Sequence, residues 1–446
     1  MMSVSHDFAR DGWLHFFPMD RFGSVSFLPV KLQRADGCRV LCDDGNWVFD
    51  AISGAYCVNV GYGRSRILDA ARRAGGEIHY VAPFAAAHDG LIALSDRLAE
   101  LAIDAMGERA RVFFVNSGSE AVDTAIKLAR AYQKRVLGIE GSKKNRVFSR
   151  AGAYHGTTFG ALSVSGYAEL HEEFGPIIGG VGQIASAACH QCSFGLVPDS
   201  CTFQCCPSPA ELEQAAAIIV EPIETSAGSG LTKQGGLALL RQAATSAGAL
   251  VIADEVISGF GRTGAMFAST SADLDPDVIV CAKGLTSGYE ALAAVLVRAS
   301  VADAFLTDRD HFRHGSTFAA RPAACAAALE NLAILDEEQL AEHVRVTGPW
   351  LGSILTDGFL GIPSLGMVRG TGFLWSVDLL GPARGSDSAV EGLRREIFRE
   401  GVLVSLYMTK SDRFIDIAPP LICGKEELVS MTERIARAVR RWEATL

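Results

Sequence analysis

The stretch from about residue 110 to 300 alternates between short apolar runs and longer segments with helical periodicity. Arg111–Val115 (RVFFV) precedes the helix-like EAVDTAIKLARAY, Ala217–Val220 (AIIV) ends at a Glu-Pro pair, and LALLRQAATSAGA leads into LVIADE. Short apolar strands joined by helical crossovers are typical of a parallel sheet with helices on both faces. The pattern predicts an α/β fold whose large domain has a mostly parallel sheet.

The regions on either side of this alternation are less regular. Before it, CRVLCDDGNWVFD is typical of a hairpin whose turn is Asp44-Gly45. After it come helices, the alternating segment VRGTGFLWSVDLL, and the terminal helix KEELVSMTERIARAVRRWEATL. We expect residues 1–75 and 330–446 to form a small α+β domain from both termini, and residues 76–329 to form the large domain.

Charge and hydropathy argue against several classes of partner. The 446 residues carry a formal net charge of -10, whereas a protein that follows nucleic-acid phosphates needs clustered Lys and Arg. No stretch reaches the ~18 apolar residues of a membrane span. The N-terminal MMSVSHDFARDGWLHFF resembles neither a secretory nor an organellar signal. We therefore expect a cytoplasmic protein that acts on small molecules, with no nucleic-acid or membrane partner.

The first apolar run ends in a glycine and a serine at the start of a helical segment. Gly118 lets the backbone approach an anion, and Ser119 adds a hydroxyl beside the free N–H groups of the helix start. This arrangement is typical of a phosphate cradle. An alternative is a plain helix cap, with Ser119 as the N-cap residue and Glu120 favouring the helix dipole. The stretch alone does not decide between them.

Three later segments also place chemically useful side chains after apolar runs. Tyr154 could stack on a flat ring or simply cover the core, and His155 has no second ligand at metal spacing. Asp254 follows a buried run, which is costly unless a cation or a proton donor lies nearby. Lys283 follows DVIVCA, and a solvated surface lysine is the simplest interpretation of it alone.

Together these strand ends indicate one ligand. In open α/β sheets, ligands bind beyond the carboxyl ends of the strands. Pyridoxal phosphate needs a lysine that bonds to it, an acid for its pyridinium nitrogen and N–H groups for its phosphate. Lys283, Asp254 and the helix start at Gly118-Ser119 supply this set, so the sequence predicts a pyridoxal 5'-phosphate site.

Several motifs in order along the chain resemble the class III pyridoxal-phosphate aminotransferases. They are FVNSGSEAVDTAIKLAR, YHGTTFGALSVSG, VEPI, LVIADEVISGFGRTG, PDVIVCAKGLTSGY and HGSTF, and the resemblance runs from about Phe27 to the C-terminus. It implies a fold-type I enzyme, similar to aspartate aminotransferase.

The resemblance also implies roles for the residues that end the strands. Lys283 would be the lysine that bonds the cofactor and moves the substrate proton. Asp254 would pair with the pyridine nitrogen, and Gly118 and Ser119 would hold the phosphate.

Four further roles follow from the same resemblance. Tyr154 would stack on one face of the cofactor ring and Val256 would pack on the other. Glu221, of VEPI, matches the family's active-site glutamate. Thr317, of HGSTF, matches a threonine that reaches the phosphate from the partner subunit, which implies a homodimer with active sites at the interface.

The chain departs from the family where substrate is bound. Many members have an arginine three residues before the Pro-Pro of PPL, and this chain has Asp416 there. Asp416 and Glu221 cannot form the ion pair that an arginine would make, so either Asp416 points elsewhere or the pocket suits something other than a simple carboxylate. Arg369 and Arg413 are candidate replacements as substrate anchors, and Asp416 itself is the third candidate substrate residue.

Two smaller departures flank the same motifs. Ala291 stands where the family pattern SGY-x-P has proline, and Arg321 stands where HGSTF is usually followed by Gly-His-Pro. They leave the cofactor assignment intact and bear on substrate identity.

A cysteine-rich segment, CHQCSFGLVPDSCTFQCC, raises the question of a metal. Cys189 and Cys192 have zinc-like spacing, and Cys201, Cys205 and Cys206 follow with looser spacing. Reduced loop cysteines are the simpler interpretation, and no metal is assigned.

The sequence therefore predicts an aminotransferase that moves an amino group from an amine or amino acid to a 2-oxo acid or aldehyde in a ping-pong reaction. A second possibility within the same fold is an aminomutase or a racemase/epimerase. A non-catalytic assembly protein whose cysteine segment binds metal is a third, and the set of Ser119, Asp254 and Lys283 argues against it.

Overall fold

The computed structural model describes residues 31–184, 209–232, 235–306, 311–408 and 413–445. The described strands are β1 (Leu32–Asp36), β2 (Arg39–Cys42), β3 (Trp47–Asp50), β4 (Ala110–Val115), β5 (Arg146–Arg150), β6 (Val181–Ile184), β7 (Ala215–Val220), β8 (Ile223–Glu224), β9 (Gly230–Leu231), β10 (Leu250–Asp254), β11 (Val278–Cys281), β12 (Ala293–Arg298), β13 (Leu365–Thr371), β14 (Leu374–Leu379), β15 (Val402–Leu403), β16 (Ser405–Met408) and β17 (Arg413–Ile417).

The rest of the regular structure consists of helices. They are α1 (Ser53–Tyr56), α2 (Ser65–Glu77), α3 (Asp89–Leu101), α4 (Ile103–Met106), α5 (Gly118–Leu137), α6 (Phe159–Val164), α7 (Ala168–Phe174), α8 (Pro209–Leu212), α9 (Gly236–Ala247), α10 (Ala268–Ser271), α11 (Ala299–Ala302), α12 (Pro322–Glu337), α13 (Leu340–Phe359), α14 (Pro382–Gly385), α15 (Asp387–Arg399) and α16 (Lys425–Glu443). Short 3₁₀ turns span Glu140–Lys143, Thr225–Ala227, Lys283–Leu285 and Asp303–Phe305. Within the described parts of the chain, no helix combines the length and apolar character needed to cross a bilayer.

A seven-stranded sheet forms the centre of the molecule, with the order β4-β12-β11-β10-β7-β5-β6. The pairs from β11 through β10, β7 and β5 to β6 are parallel, while β12 runs antiparallel to both β11 and β4. Every residue of β7, β10 and β11 is buried, which explains why their sequences are continuous apolar runs. The predicted α/β fold with a mostly parallel sheet is confirmed.

Two smaller four-stranded sheets lie outside the central one, and in the first of them strands from both ends of the chain meet. One has the order β1-β2-β3-β15, in which β15 pairs parallel to β3, and another has the order β13-β14-β17-β16. The predicted hairpin at Asp44-Gly45 joins β2 to β3, and Gly45 has a φ of 85°, a conformation that favours glycine.

Two long helices cross the boundaries predicted between the domains. α2 spans position 75, α12 spans position 329, and the two helices pack against each other. The division into residues 1–75, 76–329 and 330–446 stays a prediction.

Candidate active site

The carboxyl ends of the central strands converge on one cavity. Its lining includes every residue predicted to bind the cofactor except Thr317: Gly118, Ser119, Tyr154, Glu221, Asp254, Val256 and Lys283. This convergence follows from topology, because neighbouring parallel strands end at the same edge of a sheet.

The start of α5 forms the first wall of the cavity. Ser117 is the N-cap residue, and its hydroxyl accepts a hydrogen bond from the Glu120 N–H at 3.2 Å. The alternative that made Ser119 the cap is therefore wrong, and the Ser119 hydroxyl instead accepts from the Thr157 N–H at 3.0 Å. Unpaired N–H groups and the positive dipole end of a long helix suit an anion here.

Gly118 leaves room that a side chain would fill. A Cβ at this position would lie 3.1 Å from both methyl groups of Val256, tighter than ordinary van der Waals contact. Glycine therefore keeps the gap between the helix start and Val256 open, as a cradle for a phosphate or a flat ring requires.

Asp254 is buried at the end of β10 and is held by two donors. Its Oδ1 accepts from the Val256 N–H at 3.1 Å, and its Oδ2 lies 2.7 Å from His155 Nδ1. The other nitrogen of the imidazole, Nε2, is buried without a partner among the described residues. The carboxylate is thus oriented on both oxygens, and His155 has a role that its sequence position alone does not predict.

The clue to His155 was present but incomplete. An imidazole directly follows Tyr154, and a buried acid such as Asp254 needs a proton donor. The two residues are 99 positions apart, so a single sequence does not connect them.

Lys283 lies just beyond β11 and lines the cavity rather than the solvated surface. Its φ of 42° is in the left-handed region, which costs a non-glycine residue conformational energy and often marks a functional position. Burial lowers the pKa of its amine, while Cys57, Asp254 and Glu221 oppose that shift. A lowered pKa increases the neutral, nucleophilic fraction of the amine.

Glu221, at the end of β7, is a second buried acid in the lining. Its Oε2 has no hydrogen-bond partner among the described residues. Burial raises the pKa of this carboxyl well above its ordinary value, and Asp254 and Glu224 add repulsion. This oxygen, in the lining of the cavity, can accept a hydrogen bond from a bound ligand.

Tyr154 belongs to a group of aromatic residues on the same wall. Its ring lies 6.2 Å from that of Tyr167, centroid to centroid. The hydroxyl of Tyr407 donates to that of Tyr167, which in turn donates to the Ser226 carbonyl at 3.1 Å. Of these tyrosines Tyr154 lines the cavity, where its ring can stack on a planar ligand.

The three candidate substrate residues each have protein partners. Arg369 Nη1 lies 2.5 Å from Asp378, and Arg413 Nη2 lies 2.8 Å from Asp387. Asp416 is fully buried and accepts hydrogen bonds from Tyr56 and Ser376. Burial raises the pKa of Asp416 to about 7.

Thr317 lies outside the cavity of the single chain. It is exposed, as is its neighbour Phe318, whose side chain is 63% accessible. Arg321 is also exposed and precedes α12, and Ala291 is exposed between β11 and β12.

The cysteine-rich segment with Cys189, Cys192, Cys201, Cys205 and Cys206 lies outside the described residues. Within the described ranges, one group of three potential metal ligands lies within 4.8 Å, consisting of Cys38, Cys423 and Glu427. The two sulfur atoms are 2.6 Å apart, whereas two thiolates on one tetrahedral zinc ion at about 2.3 Å would be wider apart. This group carries no metal assignment.

Comparisons with known proteins agree with this geometry. The family model described as aminotransferase class III matches residues 23–439. A probable aminotransferase of Mycobacterium tuberculosis is 32% identical over 98% of this chain and 94% of its own length. A putrescine–pyruvate aminotransferase of Pseudomonas aeruginosa is 34% identical over 90% of this chain and 89% of its own.

Solved structures give the same result. An aminotransferase from Bacillus anthracis superposes with a TM-score of 0.85 at 29% identity, covering 96% of each chain. A transaminase from the marine bacterium Virgibacillus gives a TM-score of 0.86 at 27% identity, covering 96% of this chain and 97% of the other. With its fold, its strand-end residues and its motifs in agreement, this chain belongs to the class III aminotransferases.

Proposed function

We propose that the protein is a pyridoxal 5'-phosphate-dependent aminotransferase that moves an amino group from an amine or amino acid to a 2-oxo acid or aldehyde. The observation that carries the proposal is the meeting of Lys283, the His155-oriented Asp254 and the start of α5 at one cavity. The relatives reported above are named aminotransferases, which favours exchange between two substrates over the aminomutase or racemase alternative.

The residues present fit this cofactor. Gly118 and Ser119 would hold the phosphate at the start of α5, where free N–H groups and the helix dipole favour an anion. Asp254 would pair with the pyridine nitrogen, and Tyr154 and Val256 would contact the faces of the ring. When bound, the cofactor supplies an electron sink for the carbanion formed at the donor carbon.

Three side chains of the protein would perform the remaining tasks of proton transfer and ligand positioning. Lys283 Nζ would take the proton from the donor carbon as general base and, in the second half-reaction, deliver a proton to the acceptor carbon as general acid. Burial lowers the pKa of its amine, which favours the base form. Asp254 would place a carboxyl group next to the ring nitrogen, and the contact with His155 holds that carboxyl group in place. Glu221 contributes an oxygen that is available to the ligand.

We also propose a homodimer in which Thr317 of one subunit completes the active site of the other. Thr317 lies at the surface of the single chain, and the side chain of the adjacent Phe318 is 63% accessible and contacts the ring of Tyr80. Large exposed aromatic side chains are typical of an interface. Light scattering on the purified protein tests the assembly state, and a monomer with full activity would contradict this part of the proposal.

Absorbance spectroscopy of the two half-reactions tests the function. We expect purified protein to show the visible band of bound pyridoxal phosphate, which an amine donor removes and a 2-oxo acid restores. The matching carbonyl product of the donor should appear in equal amount. A protein that interconverts the enantiomers of an amino acid, with the band intact and no carbonyl product, would instead be a racemase.

A further inference from the structure

Asp416 is the residue that departs most from the family pattern, and its surroundings define a role for it. It lies in β17, directly opposite Ser376 of β14 in the pairing register. The Ser376 hydroxyl donates to its Oδ1 at 2.5 Å, and the Tyr56 hydroxyl donates to its Oδ2. The Ser229 hydroxyl lies 2.8 Å from that of Ser376, so four side chains form one continuous hydrogen-bonded chain.

The segment that carries Tyr56 needs such an anchor. Tyr56 has a φ of 60° and Ser53 a φ of 51°, both in the left-handed region that disfavours non-glycine residues. Strained backbone of this kind persists only where its surroundings hold it. Here the Ala418 N–H donates to the Ala51 carbonyl at 2.7 Å, and the Ser53 hydroxyl donates to the Ala418 carbonyl at 2.6 Å.

Tyr56 faces the reacting amine. Lys283 Nζ lies over its ring, 5.3 Å from the centroid, within the range of a cation–π contact. The ring therefore forms a wall of the space beside Lys283, where the donor's amine must arrive. The position of this wall depends on a hydroxyl whose acceptor is Asp416.

We infer that Asp416 is a positioning residue: through its hydrogen bond it holds the Tyr56 ring against Lys283, and it does not itself contact the amino donor. This inference rests on the proposed function, because it assigns a role within the same site. It replaces the expectation that Asp416 anchors substrate. Both of its oxygens are occupied and its surface is fully buried, so it would have to release Tyr56 in order to bind a donor.

A double-mutant cycle on Tyr56 and Asp416 tests the inference. The donor concentration dependence of cofactor-band loss gives the KM and kcat of the first half-reaction. Freeing one side chain that is immobile in the native site costs about tenfold in affinity. We therefore expect Asp416→Ala and Tyr56→Phe each to raise the donor KM about tenfold with little change in kcat, and the double variant to match the single ones.

Asp416→Asn provides the conservative rescue. Its amide oxygen can still accept from Tyr56, and its NH₂ group can donate to Ser376, so the donor KM should stay close to that of the wild type. Single effects that multiply in the double variant would show that Asp416 acts independently of Tyr56. An unchanged donor KM in Asp416→Ala would equally overturn the inference.

Tyr62→Phe is the matched control for loss of a tyrosine–carboxylate hydrogen bond. The Tyr62 hydroxyl donates to Asp50 at 2.8 Å in the same N-terminal region, whereas Lys283 Nζ lies over the ring of Tyr56. This variant should keep the donor KM of the wild type. Melting temperatures of all variants then separate general destabilisation from displacement of Tyr56.

A second measurement does not depend on turnover. With fluorotyrosine introduced at position 56 alone, fluorine NMR of the holoprotein without substrate should show one sharp signal in the wild type and in Asp416→Asn. Asp416→Ala should broaden or split it. A signal that is insensitive to Asp416→Ala contradicts the inference even if no donor is found. Failure of the proposed function is recognised separately, as a cofactor band that no donor removes.

Discussion

Two sides of the space around Lys283 are built in different ways. The strand-end side, formed by Ser119, Asp254 and Lys283, receives each side chain from the end of one strand of the central sheet. The loop side, formed by Tyr56, Asp416 and Ser376, depends on a contact between residues 360 positions apart. Amino-group chemistry therefore depends on local motifs, whereas the space offered to the donor depends on how two distant segments meet.

The largest effect should come from the strand-end side. Lys283→Ala removes the amine that moves the substrate proton, and general acid–base groups contribute up to about 10⁴-fold. We expect kcat to fall by about that factor, measured with a donor that removes the cofactor band in the wild type. Activity within tenfold of the wild type would show that another group moves the proton.

A smaller loss should follow when the charge at the ring nitrogen is removed. Asp254→Asn keeps the shape and the hydrogen bond from Val256 but loses the carboxylate, and we expect kcat to fall about 10²- to 10³-fold. His155→Gln, which removes only the group that orients Asp254, should cost about tenfold. If the two variants were equally impaired, His155 would have a direct role in the reaction.

For the loop side, we expect an effect on how the free energy of unfolding depends on pH. Burial raises the pKa of Asp416 to about 7, against about 3.9 in an unfolded chain. The folded state therefore binds this proton more tightly, so the stabilisation is fully present below about pH 4 and is lost as the pH rises to about 7. A shift of about three units corresponds to about 4 kcal/mol of unfolding free energy.

The amide of Asp416→Asn does not ionise in this range, so the variant should not lose this stability as the pH rises. We expect the melting temperature of the variant, relative to the wild type, to rise steadily between about pH 4 and pH 7 and then to level off. Thermal denaturation followed by circular dichroism across this range measures it. A constant difference between the two proteins would mean that Asp416 keeps its charge throughout.

The difference between the two sides also explains which parts of the fold and of the site could be predicted from the sequence. Apolar runs predicted the central sheet because buried parallel strands have to be apolar along their whole length. The residues after those runs predicted the strand-end side, because topology brings neighbouring strand ends together. The antiparallel direction of β12 and the pairing of β15 with β3 left no comparable local signal.

Two residues of the site could not be assigned from the sequence for the same reason. His155 and Tyr56 act through partners 99 and 360 positions away, and neither partner is visible in the local sequence. The choice of Ser119 over Ser117 as helix cap was a local error, because two serines flank Gly118 and either could begin the helix. The sequence marks Asp416 as a departure from the family pattern. Its role as the hydrogen-bond acceptor for Tyr56 is visible only in the folded structure.

The pairing of β3 with β15 has a consequence for how the protein is made. Phe49 and Ala51 are hydrogen-bonded to Gly401 and Leu403, so the strand that leads into the Tyr56 segment gains this neighbour only after a long further stretch of chain has been made. At about 5–20 residues per second, a ribosome reaches that partner on the order of tens of seconds after making β3. The wall beside Lys283 should therefore be the last part of the site to form on a nascent chain.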